Sequence, residues 1–167
     1  MPELKPNWRS MTEADLDAVD AIARIGFPDH FEGRPMFANR LALAPDGCFV
    51  LEVEGRPLGY LIAYPWKTES APPLNTVIEG LPAEPALIYL HDLALHPQVR
   101  GGGVTGAVVE RLAEQAAGDG WPAIALVAVN DAVNFWRRRG FAEHAAPGMA
   151  AKLASYGADA RYMIRRL

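Results

Sequence analysis

Residues 87–106 read Leu-Ile-Tyr-Leu-His-Asp-Leu-Ala-Leu-His-Pro-Gln-Val-Arg-Gly-Gly-Gly-Val-Thr-Gly, and Ala-Val-Val-Glu-Arg-Leu follows at once. No other stretch restricts the fold so strongly. An apolar strand must end in a turn of three glycines and hand over to a helix whose first turn carries little side chain. The first N–H groups of an α-helix have no partner inside it, and the helix dipole makes that end positive. Together they make a seat for phosphate oxygens, and missing Cβ atoms let a ligand come close to the main chain.

Other glycine motifs fit less well. A kinase-like phosphate loop ends in Gly-Lys-Ser/Thr, whereas Gly103-Val104-Thr105 has no lysine. Gly101-Gly102-Gly103-Val104-Thr105-Gly106 matches the dinucleotide spacing Gly-x-Gly-x-x-Gly formally. However, antiparallel-looking strands precede it, and the roughly 60 residues that follow are too few for a doubly wound sheet. A helix start that binds nothing is the plain alternative.

The rest of the chain sets the frame. Its 167 residues, half of them apolar, predict a single domain over residues 1–167 with a real core. A net charge of −4 argues against a nucleic-acid partner held by phosphate contacts. The single cysteine, Cys48, cannot close an internal disulfide, which fits a reducing compartment. There is no apolar leader and no long apolar run, so the expected protein is soluble and cytoplasmic, with no membrane partner.

Periodicity predicts a strand over Trp8–Met11. A helix follows, whose apolar face is Leu16, Val19, Ile22, Ala23 and Ile25. A second helix opens at Pro35 and closes before Pro45. Cys48–Val53 and Pro57–Tyr64 read as a hairpin across Glu54-Gly55-Arg56. Residues 65–86 hold five of the fourteen prolines and read as a long loop, favoured as a substrate lid over plain disorder. Leu87–His96 is a strand, Val104–Ala117 a helix and Ile124–Val129 a strand. Asp131–Arg139 is a short helix stopped by Gly140; a strand begins at Phe141, and Ala160–Arg166 is the last one. This order gives an α/β or α+β fold around one mixed sheet.

Two motifs in this order resemble the GNAT superfamily of acetyl-CoA-dependent N-acetyltransferases over nearly the whole chain. The signature Gln/Arg-x-x-Gly-x-Gly/Ala is matched by Gln98, Gly101 and Gly103. The closing segment, a helix ending in an aromatic and Gly-Phe, looks like Ala132-Val133-Asn134-Phe135-Trp136-Arg137-Arg138-Arg139-Gly140-Phe141. Tyr89-Leu90-His91-Asp92-Leu93-Ala94-Leu95-His96 is similar to the strand His-x-His-x-Leu-Ala-Val-His of arylalkylamine (serotonin-type) N-acetyltransferases, with Tyr89 in place of the first histidine.

The resemblance implies a mostly antiparallel, twisted mixed sheet of six to seven strands, helices on both faces, and a splayed parallel strand pair. Acetyl-CoA is then the co-substrate. Its pantetheine arm would lie along Leu93, Ala94 and Leu95, using backbone groups of Leu93 and Leu95. Its diphosphate would sit on amides from Val99 through Gly106, with Arg100 and Gly102 inside that turn. Asn130, Phe135 and Trp136 would face the arm or the thioester. The acceptor would be a small-molecule amine, and a homodimer is common in such proteins.

Acetyl transfer makes three demands. An alkylamine has a pKa near 10.4, so supplying its neutral form at pH 7 costs on the order of 4–5 kcal/mol, and a base helps. The thioester carbonyl must be polarised, which backbone N–H groups can do. The thiolate must leave, and with a thiol pKa near 8.5 that costs only about 2 kcal/mol. His91 is the preferred base, because histidine titrates near the right range. Strand alternation puts Tyr89, His91, Leu93 and Leu95 on one face, where Tyr89 would relay a proton or shape the pocket. Asp92 is expected to point away, among Ile88, Leu90 and Ala94. The resemblance would put a tyrosine, as proton donor to sulfur, at position 136; Trp136 cannot give up its indole proton, so that role is not carried over.

His96 reads as a surface or capping residue, and His30 and His144 show no partner pattern. No metal site is indicated. Cys48 reads as a buried strand residue, and Arg137, Arg138 and Arg139 as a solvated helix end. Phe27, Phe31, Phe37, Tyr64 and Trp66 fall where acceptor-side loops belong, and core packing explains them equally well. The expected activity is acetyl transfer to a small arylalkylamine or alkylamine. The alternatives are a protein lysine or N-terminal acetyltransferase and a non-catalytic acyl-CoA-binding module.

Overall fold

The computed structural model of the chain describes residues 5–28, 32–129 and 132–167. They form two compact units. The first holds the described residues up to Ala63, with Asn75–Gly80 and Asp92–Val108. The second holds Tyr64–Leu74, Leu81–His91 and the described residues from Val109 onward.

Seven strands make one sheet: β1 (Asn7–Ser10), β2 (Cys48–Val53), β3 (Arg56–Trp66), β4 (Leu87–Leu95), β5 (Ala123–Ala128), β6 (Ala142–Glu143) and β7 (Arg161–Arg166). Their order is β1-β2-β3-β4-β5-β7-β6. β4 and β5 are the parallel pair, with Ile88 opposite Ile124 and Tyr89 opposite Ala125. The β1–β2, β2–β3, β5–β7 and β6–β7 pairs are antiparallel. The fold is mixed α/β with a mostly antiparallel sheet, as expected.

In the first unit, β1 leads into α1 (Leu16–Gly26), which buries Leu16, Val19, Ile22 and Ala23 on one face. The short turn ahead of it, Glu13–Asp15, is closed by the Asp15 side chain. That carboxylate takes both arms of the Arg9 guanidinium at 2.8 and 2.9 Å, and the Thr12 amide at 2.8 Å. Arg9 holds the Asp15 carboxyl below its ordinary range, against the opposing effect of burial. α2 (Arg34–Leu43) opens with Pro35 in its first turn, as read from the sequence. The β2–β3 hairpin turns through Glu54 and Gly55, both at positive φ (51° and 77°), the tight turn that matches strand twist. Gly47 is required for a steric reason: a Cβ there would lie 1.9 Å from the Ala63 carbonyl oxygen.

The proline-rich loop is tied down, not loose. In the first unit, Asn39 of α2 clasps Ile78 twice, Nδ2 to its carbonyl at 2.9 Å and Oδ1 from its amide at 3.0 Å. Arg40 donates to the Thr76 carbonyl, the Asn75 amide donates to Glu32 at 2.7 Å, and the Gly33 amide donates to Asn75 Oδ1 at 2.8 Å. In the second unit the Glu69 amide donates to Tyr162 Oη at 2.9 Å, and Tyr156 Oη donates to the Pro72 carbonyl.

The second unit pairs β5 with β7 along its full length, Ala123 opposite Arg166 through Ala128 opposite Arg161. α3 (Val104–Gly118) crosses from the first unit into the second. α4 (Val133–Arg137) is short, and Gly140, at φ 89°, ends that segment as expected. Beside it Arg165 donates to the Arg139 carbonyl and to both oxygens of Glu110. α5 (Ala150–Tyr156) is absent from the sequence-based order. It is two turns of mostly small residues with no buried position, so it leaves no periodic apolar signal. Among the described residues no helix is long and apolar enough to cross a membrane.

Candidate active site

His91 follows four buried residues of β4, Leu87–Leu90, and opens a half-buried stretch with Asp92 and Leu93. Its Nδ1 lies 2.9 Å from the hydroxyl of Tyr64 on β3. The Tyr64 ring is 1% exposed and held by neighbours: Trp66 edge-on at 5.7 Å and Tyr89 at 6.0 Å between centroids. The Tyr89 ring meets the His91 ring at 5.9 Å, so Tyr89 shapes the surroundings of the imidazole by packing. The buried Trp66 indole N–H has no protein partner among the described residues. This is an aromatic enclosure around one titratable ring.

Asp92, the next residue, is bound to a second tyrosine of β3. Tyr60 donates its hydroxyl to Asp92 Oδ2 at 2.6 Å. Tyr60 and Tyr64 are four residues apart on β3 and share a face in a regular strand, whereas His91 and Asp92 should face apart. Simple alternation therefore fails here. Asp92 does not sit buried among Ile88, Leu90 and Ala94; it is half-exposed and held by a phenol. Burial first, then the charge and hydrogen bond of Asp92, with Glu32 and Asp20 adding, push the Tyr60 hydroxyl well above its ordinary range. Tyr60 is a fixed donor, and the carboxylates around it make that part of the first unit acidic.

The glycine turn lies in the first unit. Gly101 and Gly103 stand at φ 84° and 74°, a region costly for any residue with a Cβ. A Cβ built at Gly101, Gly103 or Gly106 meets nothing within 4 Å, and one at Gly102 meets only the Val99 carbonyl, at 3.9 Å. The turn is anchored from below. Leu95, Val99, Val104 and Trp8 pack on the buried Leu51, Val53 and Leu58, and Trp8 Nε1 donates to the Val104 carbonyl at 2.9 Å. His96 caps the short turn at Pro97–Val99 by accepting the Gln98 amide, the capping place expected of it. Gln98 Oε1 accepts from Arg56, and Arg100 Nε donates back to the Leu95 carbonyl at 3.2 Å. Ala94 is buried, and Thr105 half-buried.

The profile of the acetyltransferase (GNAT) family matches residues 12–141, more than three quarters of the chain. The chain belongs to the acetyltransferase (GNAT) family. Solved structures share the fold. The loading GNATL domain of CurA from Lyngbya majuscula superimposes with a TM-score of 0.81 at 13% identity, over 97% of this chain and 98% of that one. The ribosomal-protein-S18-alanine N-acetyltransferase of Escherichia coli gives 0.69 at 16% identity, over 97% and 94%. YhbS from Escherichia coli, a GNAT N-acetyltransferase solved in complex with CoA, gives 0.64 at 18% identity, over 99% and 83%. No curated protein matches the sequence.

The remaining family positions are less uniform. Trp136 is buried, edge-on to Phe135 at 5.0 Å and to Phe141 at 5.4 Å, which is core packing. Phe135 carries the Arg139 guanidinium over its ring at 3.7 Å, so Arg139 is a stacked, half-buried cation and not a solvated end. Asn130, with Asp131, His30 and Phe31, lies outside the described residues. Of the aromatic residues read as acceptor-side, Tyr64 adjoins His91 and Trp66 packs on Tyr64, while Phe37 is buried edge-on against Tyr60 at 5.3 Å. Phe27 is half-buried after α1. The His144 ring packs edge-on against Tyr162 at 5.9 Å. Cys48 is buried and its thiol is pushed up to about 12 by burial, so it is an inert strand residue. Sequence reasoning missed the roles of Tyr60 and Tyr64. A pair of tyrosines four apart on a predicted strand was the available signal.

Proposed function

We propose that this GNAT acetyltransferase moves the acetyl group of acetyl-CoA directly onto the nitrogen of a small primary amine, with His91 as the base. The observation that carries this reading is the His91 imidazole, half-buried and bonded through Nδ1 to Tyr64 inside a wall of aromatic rings. The Nε2 side takes the amine proton, directly or through a water. The freed nitrogen attacks the thioester carbon and a C–N bond forms; as the C–S bond breaks, the nitrogen sheds its second proton to solvent, and the thiolate leaves and is protonated from solvent. Trp136 supplies no proton.

The glycine turn is suited to the diphosphate of the co-substrate. Gly101 and Gly103 are explained by their backbone angles, but Gly106 is not. It sits in the first turn of α3, where glycine costs about 1 kcal/mol relative to alanine and no atom of the protein crowds it. Close approach of a ligand accounts for it. Backbone amides from Val99 through Gly106, with the exposed Arg100 nearby, would hold the phosphates. Leu93 and the Leu95 amide would hold the pantetheine, since the Leu95 carbonyl is already engaged by Arg100. Phe135 would complete the arm's surroundings.

An aromatic enclosure favours an arylalkylamine. A second reading, a basic peptide N-terminus or lysine, is favoured by the carboxylates of Asp92, Glu32 and Asp20 that act on Tyr60. Calorimetric titration with acetyl-CoA, followed by thiol release across arylalkylamines, alkylamines and peptides, tests all of this. Micromolar binding with turnover on arylalkylamines is the expected result. Binding without turnover on any amine would leave a non-catalytic acyl-CoA module.

A further inference from the structure

Resting on His91 as the base, we infer that Tyr64 is a positioning residue that fixes which imidazole nitrogen carries the proton. A neutral imidazole has one N–H and one lone pair. Across the 2.9 Å contact between Tyr64 Oη and His91 Nδ1, two arrangements exist. If the phenol donates to Nδ1, the ring proton sits on Nε2, and Nε2 has no lone pair with which to take a proton from an amine. If Nδ1–H donates to the phenol oxygen, Nε2 is left as the acceptor.

Only the second arrangement makes His91 a base on its Nε2 side. It also needs no rearrangement during the reaction. When Nε2 gains its proton the ring becomes a double donor, and the same Nδ1–H still points at the same oxygen. In the first arrangement the phenol would have to turn its hydrogen away as the ring charged.

The phenol is placed to hold this geometry. Tyr64 is almost wholly buried, and its ring is fixed by Trp66 at an interplanar angle of 83° and by Tyr89 at 59°. The His91 ring lies tilted 32° to the Tyr64 ring at 5.8 Å, so the pair is set by packing as well as by the hydrogen bond. The partner nitrogen of a working histidine is set in this way by the group its other nitrogen meets.

The first readout is taken on the wild-type protein itself. Long-range nitrogen–proton NMR on the wild-type protein, with His91 assigned through His91→Gln, reads the tautomer directly. A proton on Nδ1 is expected, and a proton on Nε2 would overturn the inference. Tyr64→Phe keeps the ring packing and deletes only the oxygen. It should lower kcat on the order of 10- to 100-fold, leave KM for acetyl-CoA within about twofold, and shift His91 away from the Nδ1–H form. Unchanged kcat in Tyr64→Phe, with turnover abolished in His91→Gln, would remove Tyr64 and keep His91 as the base. Turnover retained in His91→Gln would remove both.

Discussion

The glycine turn of the first unit and the aromatic enclosure of the second solve opposite problems. The turn is built from main chain. Its two positive-φ glycines shape a backbone, and the side chains beneath it, Leu95, Val99 and Val104, serve as anchors. The enclosure is built from side chains. In the proposed reaction its chemistry would reside in one imidazole, packed by the rings of Tyr64 and Tyr89, with Trp66 behind Tyr64. A main-chain site is indifferent to most neighbours but tolerates no Cβ where φ forbids one. A side-chain site tolerates backbone adjustment but fails when one functional group is lost.

The sharpest way to break this contrast is His91→Ala. Loss of a general base should lower kcat/KM by about 10²- to 10⁴-fold while the acetyl-CoA affinity measured by calorimetry stays put. Gly103→Val should do the reverse. A β-branched residue at φ 74° costs about 1–3 kcal/mol. Acetyl-CoA affinity should fall by on the order of 10-fold or more, with turnover at saturating co-substrate largely kept. If the two variants gave the same split between kcat and KM, the division of labour would be wrong.

Gly106→Ala sharpens the comparison more finely. Removing a helical glycine should stabilise the free protein by about 1 kcal/mol, seen as a rise in Tm of about 2–4 °C. The added methyl should at the same time weaken acetyl-CoA binding severalfold. A variant more stable and no weaker in binding would show that nothing approaches that face.

The smallest effect concerns acid stability. Arg9 holds the Asp15 carboxyl below its unfolded value, so its contribution is present above the ordinary carboxylate range and is lost as pH falls through the depressed value. Thermal melts should show stability declining below about pH 4, and Asp15→Asn should flatten that part of the profile. In the second unit Arg165 depresses the Glu110 carboxyl in the same way, but Glu110 is largely exposed, so Glu110→Gln should change the profile little.

The contrast also explains what the sequence disclosed. The glycine turn, the apolar face of α1, the hairpin at Glu54-Gly55 and the stop at Gly140 are local devices, and their residue types are dictated within a few positions. The Tyr64–His91 and Tyr60–Asp92 pairs join positions 27 and 32 residues apart, so the four-residue spacing of the two tyrosines is their one local trace. Alternation along β4 misplaced Asp92 because it assumes an unbroken strand. The ties of the proline-rich loop were not legible because they come from Asn39, Arg40 and Glu32 of one unit and from Tyr156 and Tyr162 of the other. α5 left no trace because it buries nothing.

Cys48 has a practical bearing on all these measurements. Acetyl transfer liberates one sulfhydryl per turnover, and colorimetric dyes that react with sulfhydryls are the simplest way to follow it. The chain's own single sulfhydryl is wholly enclosed and resists ionisation up to about pH 12. The folded catalyst therefore contributes almost no background colour, and any slow signal from protein alone doubles as a gauge of unfolding.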